Sequence, residues 1–108
     1  MEVLSGIEIL WSDEFYDGAV DGLARYGMRE LWFCVDSSRT TWFSERPRRY
    51  LAYELTKDEL ARVHAVYLAD QAADFGMRKT RALGVSWEMG DGTGYAPADR
   101  DPVGCFTR

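Results

Sequence analysis

The residues of this chain that are suited to nucleophilic or acid–base chemistry are few and widely spaced. His64 is the only histidine, and Cys34 and Cys105 are the two cysteines among 108 residues. A histidine base needs an orienting carboxylate and a nucleophile within reach, and the spacing of these residues supports no such arrangement. We therefore expect His64 to be a hydrogen-bonded packing residue and the protein not to be an enzyme. An enzyme that uses His64 is the least favoured alternative.

Carboxylates are the densest group of charged side chains. The first 36 residues carry a formal charge of −6, from eight acidic residues and two arginines, and the whole chain carries −5. Asp13, Glu14, Asp17 and Asp21 form a cluster, but their spacing matches no EF-hand loop. Acid–base work by paired carboxylates would need a pocket, which a sequence does not reveal. We predict no metal and no cofactor, and an acidic surface that binds a protein with a basic surface.

Aromatic residues extend this prediction to a second segment. Trp42 and Phe43 lie in a polar connection and are expected to be exposed. Aromatic residues are enriched among the residues that dominate binding energy at protein interfaces. The predicted partner-binding residues are therefore Asp13, Glu14, Asp17, Asp21, Trp42 and Phe43.

A basic patch surrounds this aromatic pair. Residues 37–55 carry a net charge of +2, and arginine binds phosphate and carboxylate groups through two parallel hydrogen bonds. The patch supplies an alternative site for a nucleotide or another small ligand, formed by Arg39, Trp42, Arg46, Arg48 and Arg49. The favoured interpretation is that these arginines balance acidic residues of the same molecule.

Other sequence features exclude several classes of protein. The acidic balance argues against direct binding of nucleic acid, which requires Lys and Arg to displace phosphate counterions. The N-terminus lacks the basic region of a signal peptide, and no apolar run reaches transmembrane length. We expect a cytoplasmic protein, in a bacterial cell or in the host cell if a phage encodes it. Cys34 and Cys105 are expected to be free, buried thiols, with a disulfide possible only between neighbouring strands.

The predicted elements give a single domain over residues 1–108 with an α+β fold. Strands are predicted at 5–11, 19–26, 29–35, 50–55, 85–89 and 103–107, with a turn at Gly27. Thr56 and Glu59 form a capping box that opens a helix running to Phe75. The resulting order is β-β-β-β-α-(β)-β, an antiparallel sheet of about five strands packed by one helix.

Two finer predictions concern the helix face and the segment after it. Residues at helical spacing place Leu60, His64, Tyr67, Gln71 and Phe75 on one inward face, flanked by Val63 and Leu68. Residues 90–102 are rich in Gly, Pro and Asp, and they match neither a P-loop nor a dinucleotide fingerprint. This segment is predicted to be an exposed, mobile loop.

The aromatic and glycine residues of the first third follow a recognisable pattern. The pattern is W-x-x-x-x-Y-D-G-x-x-x-G followed by a hairpin with an L-W-F strand, and its residues are Trp11, Tyr16-Asp17-Gly18, Gly22 and Leu31-Trp32-Phe33. It resembles a group of small bacterial and phage-encoded proteins that have no established activity. Such proteins often end in a G-W-F-like strand, which Gly104-Cys105-Phe106 matches with Cys in place of Trp. Ala19 and Asp21 also depart from the Pro and Ser of the pattern.

The resemblance implies that the turn at 16–18 is structural, and it implies no catalytic residue. The preferred hypothesis for function is a small, acidic, intracellular protein that binds or inhibits another protein without catalysis. An immunity protein, an antitoxin-like inhibitor and a phage-encoded inhibitor of host defence all fit this description. The alternatives are a small-ligand or nucleotide-binding domain that uses residues 39–50, and a small enzyme.

Overall fold

The structure is a computed structural model that describes residues 1–14, 19–36, 48–69, 87–90 and 94–108, with the backbone alone described at 13–14, 66–69, 87–90 and 94. These residues form seven strands and one helix: β1 (Glu8–Glu14), β2 (Ala19–Tyr26), β3 (Arg29–Val35), β4 (Arg49–Glu54), α1 (Lys57–Ala69), β5 (Trp87–Gly90), β6 (Gly94–Pro97) and β7 (Gly104–Thr107). Strands β1, β2, β3, β4 and β7 form one antiparallel sheet in that order, and β5 and β6 form a separate pair. The predicted α+β fold is confirmed.

The central strand β3 is apolar on both faces, as the sequence predicts. Trp32 and Phe33 are adjacent residues that point to opposite faces because side chains alternate along a strand, and both have 0% exposure. The hairpin that leads into β3 turns at Gly27, which has a φ of 61°. Glycine adopts this conformation without the strain that a Cβ atom would introduce.

The N-terminal chain closes the sheet on itself. Glu2–Leu4 lies beside β7, where the Leu4 amide donates to the Cys105 carbonyl at 2.8 Å and the Cys105 amide donates to the Glu2 carbonyl at 2.9 Å. The cross-strand partners around the sheet are, in order, Val3, Cys105, Leu51, Cys34, Asp21 and Asp13. The series begins at Val3 and ends at Asp13, ten residues later in the same N-terminal chain. An offset of this kind between the first and last strands is the stagger of a closed sheet.

Closure separates the buried residues into two clusters. The inner cluster lies inside the closed sheet and contains Leu4, Ile7, Ala24, Leu31, Phe33, Val35, Tyr50, Ala52 and Phe106. The outer cluster contains Trp11, Leu23, Trp32, Cys34, Tyr53 and Val63, with Tyr95 and Ala96 packed against it. A Cβ atom on Gly104 would lie 2.7 Å from Leu4 Cγ, so a residue without a side chain lets the N-terminal chain approach β7.

Helix α1 begins with the predicted capping box. The Glu59 amide donates to Thr56 Oγ1 at 3.1 Å, and the Thr56 amide donates to Glu59 Oε1 at 2.8 Å. The centre of the inward face lies at its predicted flank, because Val63 is 1% exposed whereas the side chain of His64 is 40% exposed. Leu60 of the predicted face packs against the outer cluster. The predicted end of the helix at Phe75 lies outside the described residues.

The prediction of a mobile loop over 90–102 is wrong for its central part. Gly94–Pro97 forms β6, which pairs with β5 and packs on the outer cluster. Glycine and proline content alone does not distinguish a loop from a short hairpin that carries a few apolar residues, and in β6 Tyr95 and Ala96 supply the apolar contacts. The prediction of free, buried cysteines is confirmed, and β4 separates the strands of Cys34 and Cys105.

Candidate functional site

The predicted partner-binding residues separate into three groups. Asp13 and Glu14 are the last two residues of the edge strand β1. Asp21 is on β2, where it is the cross-strand partner of Asp13. The predicted residues that lie outside the described part of the chain are Asp17, Trp42 and Phe43, together with Arg39 and Arg46 of the alternative ligand site.

The assignment of Asp21 to a contact surface is wrong, because its side chain is buried. Asp21 is 1% exposed, and its Oδ2 accepts a hydrogen bond of 2.8 Å from the Tyr95 amide. Trp32 Nε1 donates to the Tyr95 carbonyl at 2.7 Å. The side chains of Asp21 and Trp32 thus bind the backbone N–H and C=O of Tyr95 in β6. Asp21 is a fold-forming acid that docks the β5–β6 hairpin, since an unsatisfied buried amide is costly.

The alternative ligand site loses two of its arginines to internal contacts. Arg48 is 2% exposed, and its Nη1 donates to the Ala19 carbonyl at 3.3 Å. That carbonyl also accepts a bond of 2.8 Å from the Tyr50 hydroxyl. Arg49 Nε lies 3.3 Å from Asp36 Oδ2, with side-chain exposures of 30% and 9%. Both arginines therefore make contacts at the end of the sheet, and a ligand site that includes them stays a prediction.

His64 has a carboxylate partner that the sequence did not predict. Its Nε2 lies 3.2 Å from Glu30 Oε2, which joins helix α1 to strand β3. The side chains are 40% and 32% exposed. A histidine paired with a carboxylate has the orientation that general-base chemistry needs, but the chemistry also needs a nucleophile or a bound substrate. The contact that the structure describes is one that fastens the helix to the sheet.

Half of the acidic residues of the first third have partners in the structure. Four of the eight pair as follows: Glu8 with Arg25, Asp21 with Tyr95, Glu30 with His64, and Asp36 with Arg49. The other four are Glu2, which is exposed, and Asp13, Glu14 and Asp17, whose side chains lie outside the described part of the structure. For these last three residues the acidic contact stays a prediction.

Arg100 is a structural residue that the sequence analysis missed. Its guanidinium makes two bonds of 2.6 Å with Glu59 and donates to the Glu54 carbonyl at 2.8 Å. A further bond of 2.9 Å joins it to Asp99, and the bonds from Arg100 lower the pKa of Glu59 below its usual value. An arginine more than forty positions from its carboxylate partner leaves no periodic signal in a sequence.

Burial determines the chemistry of the thiol and the phenol in the outer cluster. Desolvation, with a further contribution from Asp21 and Asp36, raises the pKa of Cys34 to about 12. Desolvation likewise raises the pKa of Tyr53 to about 12. A thiol nucleophile needs the opposite shift, because the thiolate is the reactive form. Cys34 therefore packs as an apolar residue of the outer cluster.

A cavity of about 380 Å³ lies where the N-terminal chain leaves β7. Its lining residues are Val3, Leu4, Ser5, Gly6, Ile7, Phe106, Thr107 and Arg108. None of the predicted site residues is in this lining. Within the described ranges, no group of three or more His, Cys, Asp or Glu residues is arranged to hold a metal ion.

Comparison with family models, with curated proteins and with solved structures finds no match to this chain. No helix in the part of the chain that the structure describes has both the length and the apolar character needed to cross a membrane.

Proposed function

We propose that this protein binds, and thereby blocks, a protein with a basic surface, and that the contact is centred on the acidic end of β1. Asp13, Glu14 and Asp17 are its principal charged contacts. The protein does this without catalysis and without a cofactor. An immunity protein, an antitoxin-like inhibitor or a phage-encoded inhibitor of a host defence system works in this way.

The observation that carries the proposal is that the other acidic residues of the first third, apart from Glu2, are engaged within the molecule. Glu8, Glu30 and Asp36 each have a cationic partner in the same molecule, and Asp21 is buried. Asp13 and Glu14 are the last residues of β1, an edge strand of the five-stranded sheet, and Asp17 follows them in the sequence. Charge of one sign at such a position attracts a basic partner and accelerates its association.

The alternative functions have less support in the described residues. A nucleotide site in the 39–50 segment would have to manage without Arg48 and Arg49, which bind the Ala19 carbonyl and Asp36. For an enzyme that uses His64, the Glu30 carboxylate would orient the histidine. The raised pKa of the buried Cys34 thiol disfavours the thiolate that such an enzyme would need as its nucleophile. Among the described residues, the hydrogen-bond partner of His64 is a carboxylate and not a nucleophile.

The test is a triple charge reversal at the acidic end of β1. Partners are captured from a lysate of the source cells with the parent protein and with Asp13→Lys/Glu14→Lys/Asp17→Lys. The affinity of the purified partner is then measured at about 50 and 300 mM salt, a range over which screening of exposed charges becomes strong. We expect the reversal to weaken binding at least about tenfold, and salt to weaken binding of the parent.

A control of equal charge uses exposed acidic residues elsewhere. Glu54 and Asp58 have side-chain exposures of 60% and 71%, and Glu2 is also exposed. The variant Glu2→Lys/Glu54→Lys/Asp58→Lys changes the net charge by the same amount and should bind like the parent protein. Equal binding by the two reversed variants would show that the end of β1 is not the contact.

A further inference from the structure

We infer that the outer edge of β1 accepts an extended, lysine- or arginine-bearing segment of the partner as an added strand. This inference rests on the proposed function, since it names the form in which the basic partner meets the acidic end of β1. Three observations lead to it: the reach of β7, the direction of the β1 backbone groups, and the charge of the strand.

The register of the closed sheet leaves the outer edge of β1 beyond the reach of β7. Val3 is opposite Cys105 in a parallel pairing, so Thr107, the last residue of β7, is opposite Ser5. Strand β1 begins only at Glu8. The Arg108 guanidinium donates to the Ile7 carbonyl just before that point. Among the strands that the structure describes, β2 alone pairs with β1, along the edge of β1 opposite to the outer edge.

The β2–β3 hairpin determines which β1 backbone groups face outward. Tyr26 and Arg29 flank a two-residue turn, so they exchange backbone hydrogen bonds with each other. By alternation, Gly22 also faces β3, and its β1 partner Ser12 therefore directs its N–H and C=O away from β2. The pairing of β1 with β2 shifts register between Ile9 and Trp11, so the outward positions before the shift are Ile9 and Ile7, and Arg108 binds the Ile7 carbonyl. The edge thus offers the hydrogen bonds that strand addition requires.

The charge of β1 selects the occupant. The strand sequence EILWSDE contains three acidic residues and no basic one. A second copy of β1 would bring like charges together across the new pair, which is destabilising. An acidic or neutral segment would gain no electrostatic attraction, whereas Lys or Arg at alternate positions of an incoming strand would. The edge therefore discriminates between extended segments by charge.

The probe is a capped peptide of about eight residues, a common strand length, in which lysine and valine alternate. A matched peptide carries N-methyl groups on alternate residues, so it keeps the charge and loses hydrogen-bond donors on one side. Binding is measured by isothermal titration, and exchange of the Ser12 amide hydrogen by NMR. We expect N-methylation to weaken binding at least about tenfold, and the unmodified peptide to slow Ser12 exchange.

Two substitutions at one position supply the protein-side test. Ser12→Pro removes the outward N–H, and edge strands tolerate proline where that group faces away from the sheet. Ser12→Ala keeps the N–H and serves as the control. We expect the proline variant to keep the chemical-shift pattern of the fold and to bind the unmodified peptide at least about tenfold more weakly, while the alanine variant binds like the parent.

The outcomes separate this inference from the proposed function. If N-methylation and Ser12→Pro leave binding unchanged while Asp13→Lys/Glu14→Lys abolishes it, strand addition is wrong and the acidic contact survives. If N-methylation and Ser12→Pro abolish binding while charge reversal has no effect, the edge pairs with an extended segment, but selection by charge and the acidic contact are both wrong. Absence of saturable binding to the unmodified peptide at millimolar concentration overturns the inference itself.

Discussion

Asp13 and Asp21 are opposite each other on neighbouring strands, and they have different roles. Asp21 is 1% exposed and binds the Tyr95 amide, so its charge is committed to docking the β5–β6 hairpin. Asp13 belongs to the edge strand, at the end of which the proposed contact lies. In the sequence the two residues form part of one acidic cluster. Burial under the β5–β6 hairpin, and not residue type, commits Asp21 to the fold.

The largest expected effect comes from removing the buried acid. Asp21→Ala leaves the Tyr95 amide without the acceptor that the structure describes, in a partly buried site. We expect a loss of about 2–3 kcal/mol in the free energy of unfolding, measured by urea denaturation. The β5–β6 hairpin should also become less protected in amide hydrogen exchange. A loss below about 0.5 kcal/mol would contradict the docking role of Asp21.

The contrast between Asp13 and Asp21 marks what the sequence alone reveals. Local patterns predicted the strands other than β6, the Gly27 turn and the capping box, because each depends on residues close in sequence. The burial of Asp21 depends on Tyr95, which is 74 positions away. No local pattern carries that information. Asp21 could be distinguished from its acidic neighbours only once β6 was known to pack over it.

The same reasoning applies to the helix and to the basic patch. Helical spacing identified an apolar face, but a one-residue rotation exchanged the roles of Val63 and His64. The interpretation that arginines balance internal acids is confirmed for Arg49, which pairs with Asp36. The sequence does not predict that Arg48 is buried, because its acceptor is the backbone carbonyl of Ala19 on β2.

An intermediate effect is expected at Glu59, an acid committed to the fold at the start of the helix. Glu59→Gln keeps the capping box, which glutamine also forms, and removes the charge that faces Arg100. The two side chains are 14% and 23% exposed. We expect a loss of about 1 kcal/mol in unfolding free energy at neutral pH.

The pH dependence of this loss tests its cause. The pKa of Glu59 is lowered in the folded state, so its stabilising contribution is present above the unfolded-state value of about 4.3 and is lost as pH falls. Urea denaturation at a series of pH values should therefore show the parent and Glu59→Gln converging in strongly acidic solution. A constant difference across the series would assign the loss to packing instead of charge.

A smaller effect on stability is expected for an exposed ion pair between β1 and β2. Glu8 Oε2 lies 3.7 Å from Arg25 Nη1, with side-chain exposures of 67% and 48%. Solvent screens such a pair, so Glu8→Gln should change the unfolding free energy by less than about 0.5 kcal/mol. The measurement is urea denaturation at low and high salt. A loss comparable to that of Asp21→Ala would place Glu8 among the acids that the fold requires.

The smallest effect on stability is expected at Asp13, the partner of Asp21 in the register. Two acidic residues opposite each other on antiparallel strands repel, so Asp13→Ala should leave the unfolding free energy unchanged within about 0.5 kcal/mol or raise it slightly. Binding of the basic partner, measured on the same preparation, should weaken. A protein that becomes more stable while it binds less well has given up a residue kept for function. If Asp13→Ala instead destabilises the fold as Asp21→Ala does, both acids serve the sheet and the proposed contact must shift to Glu14 and Asp17.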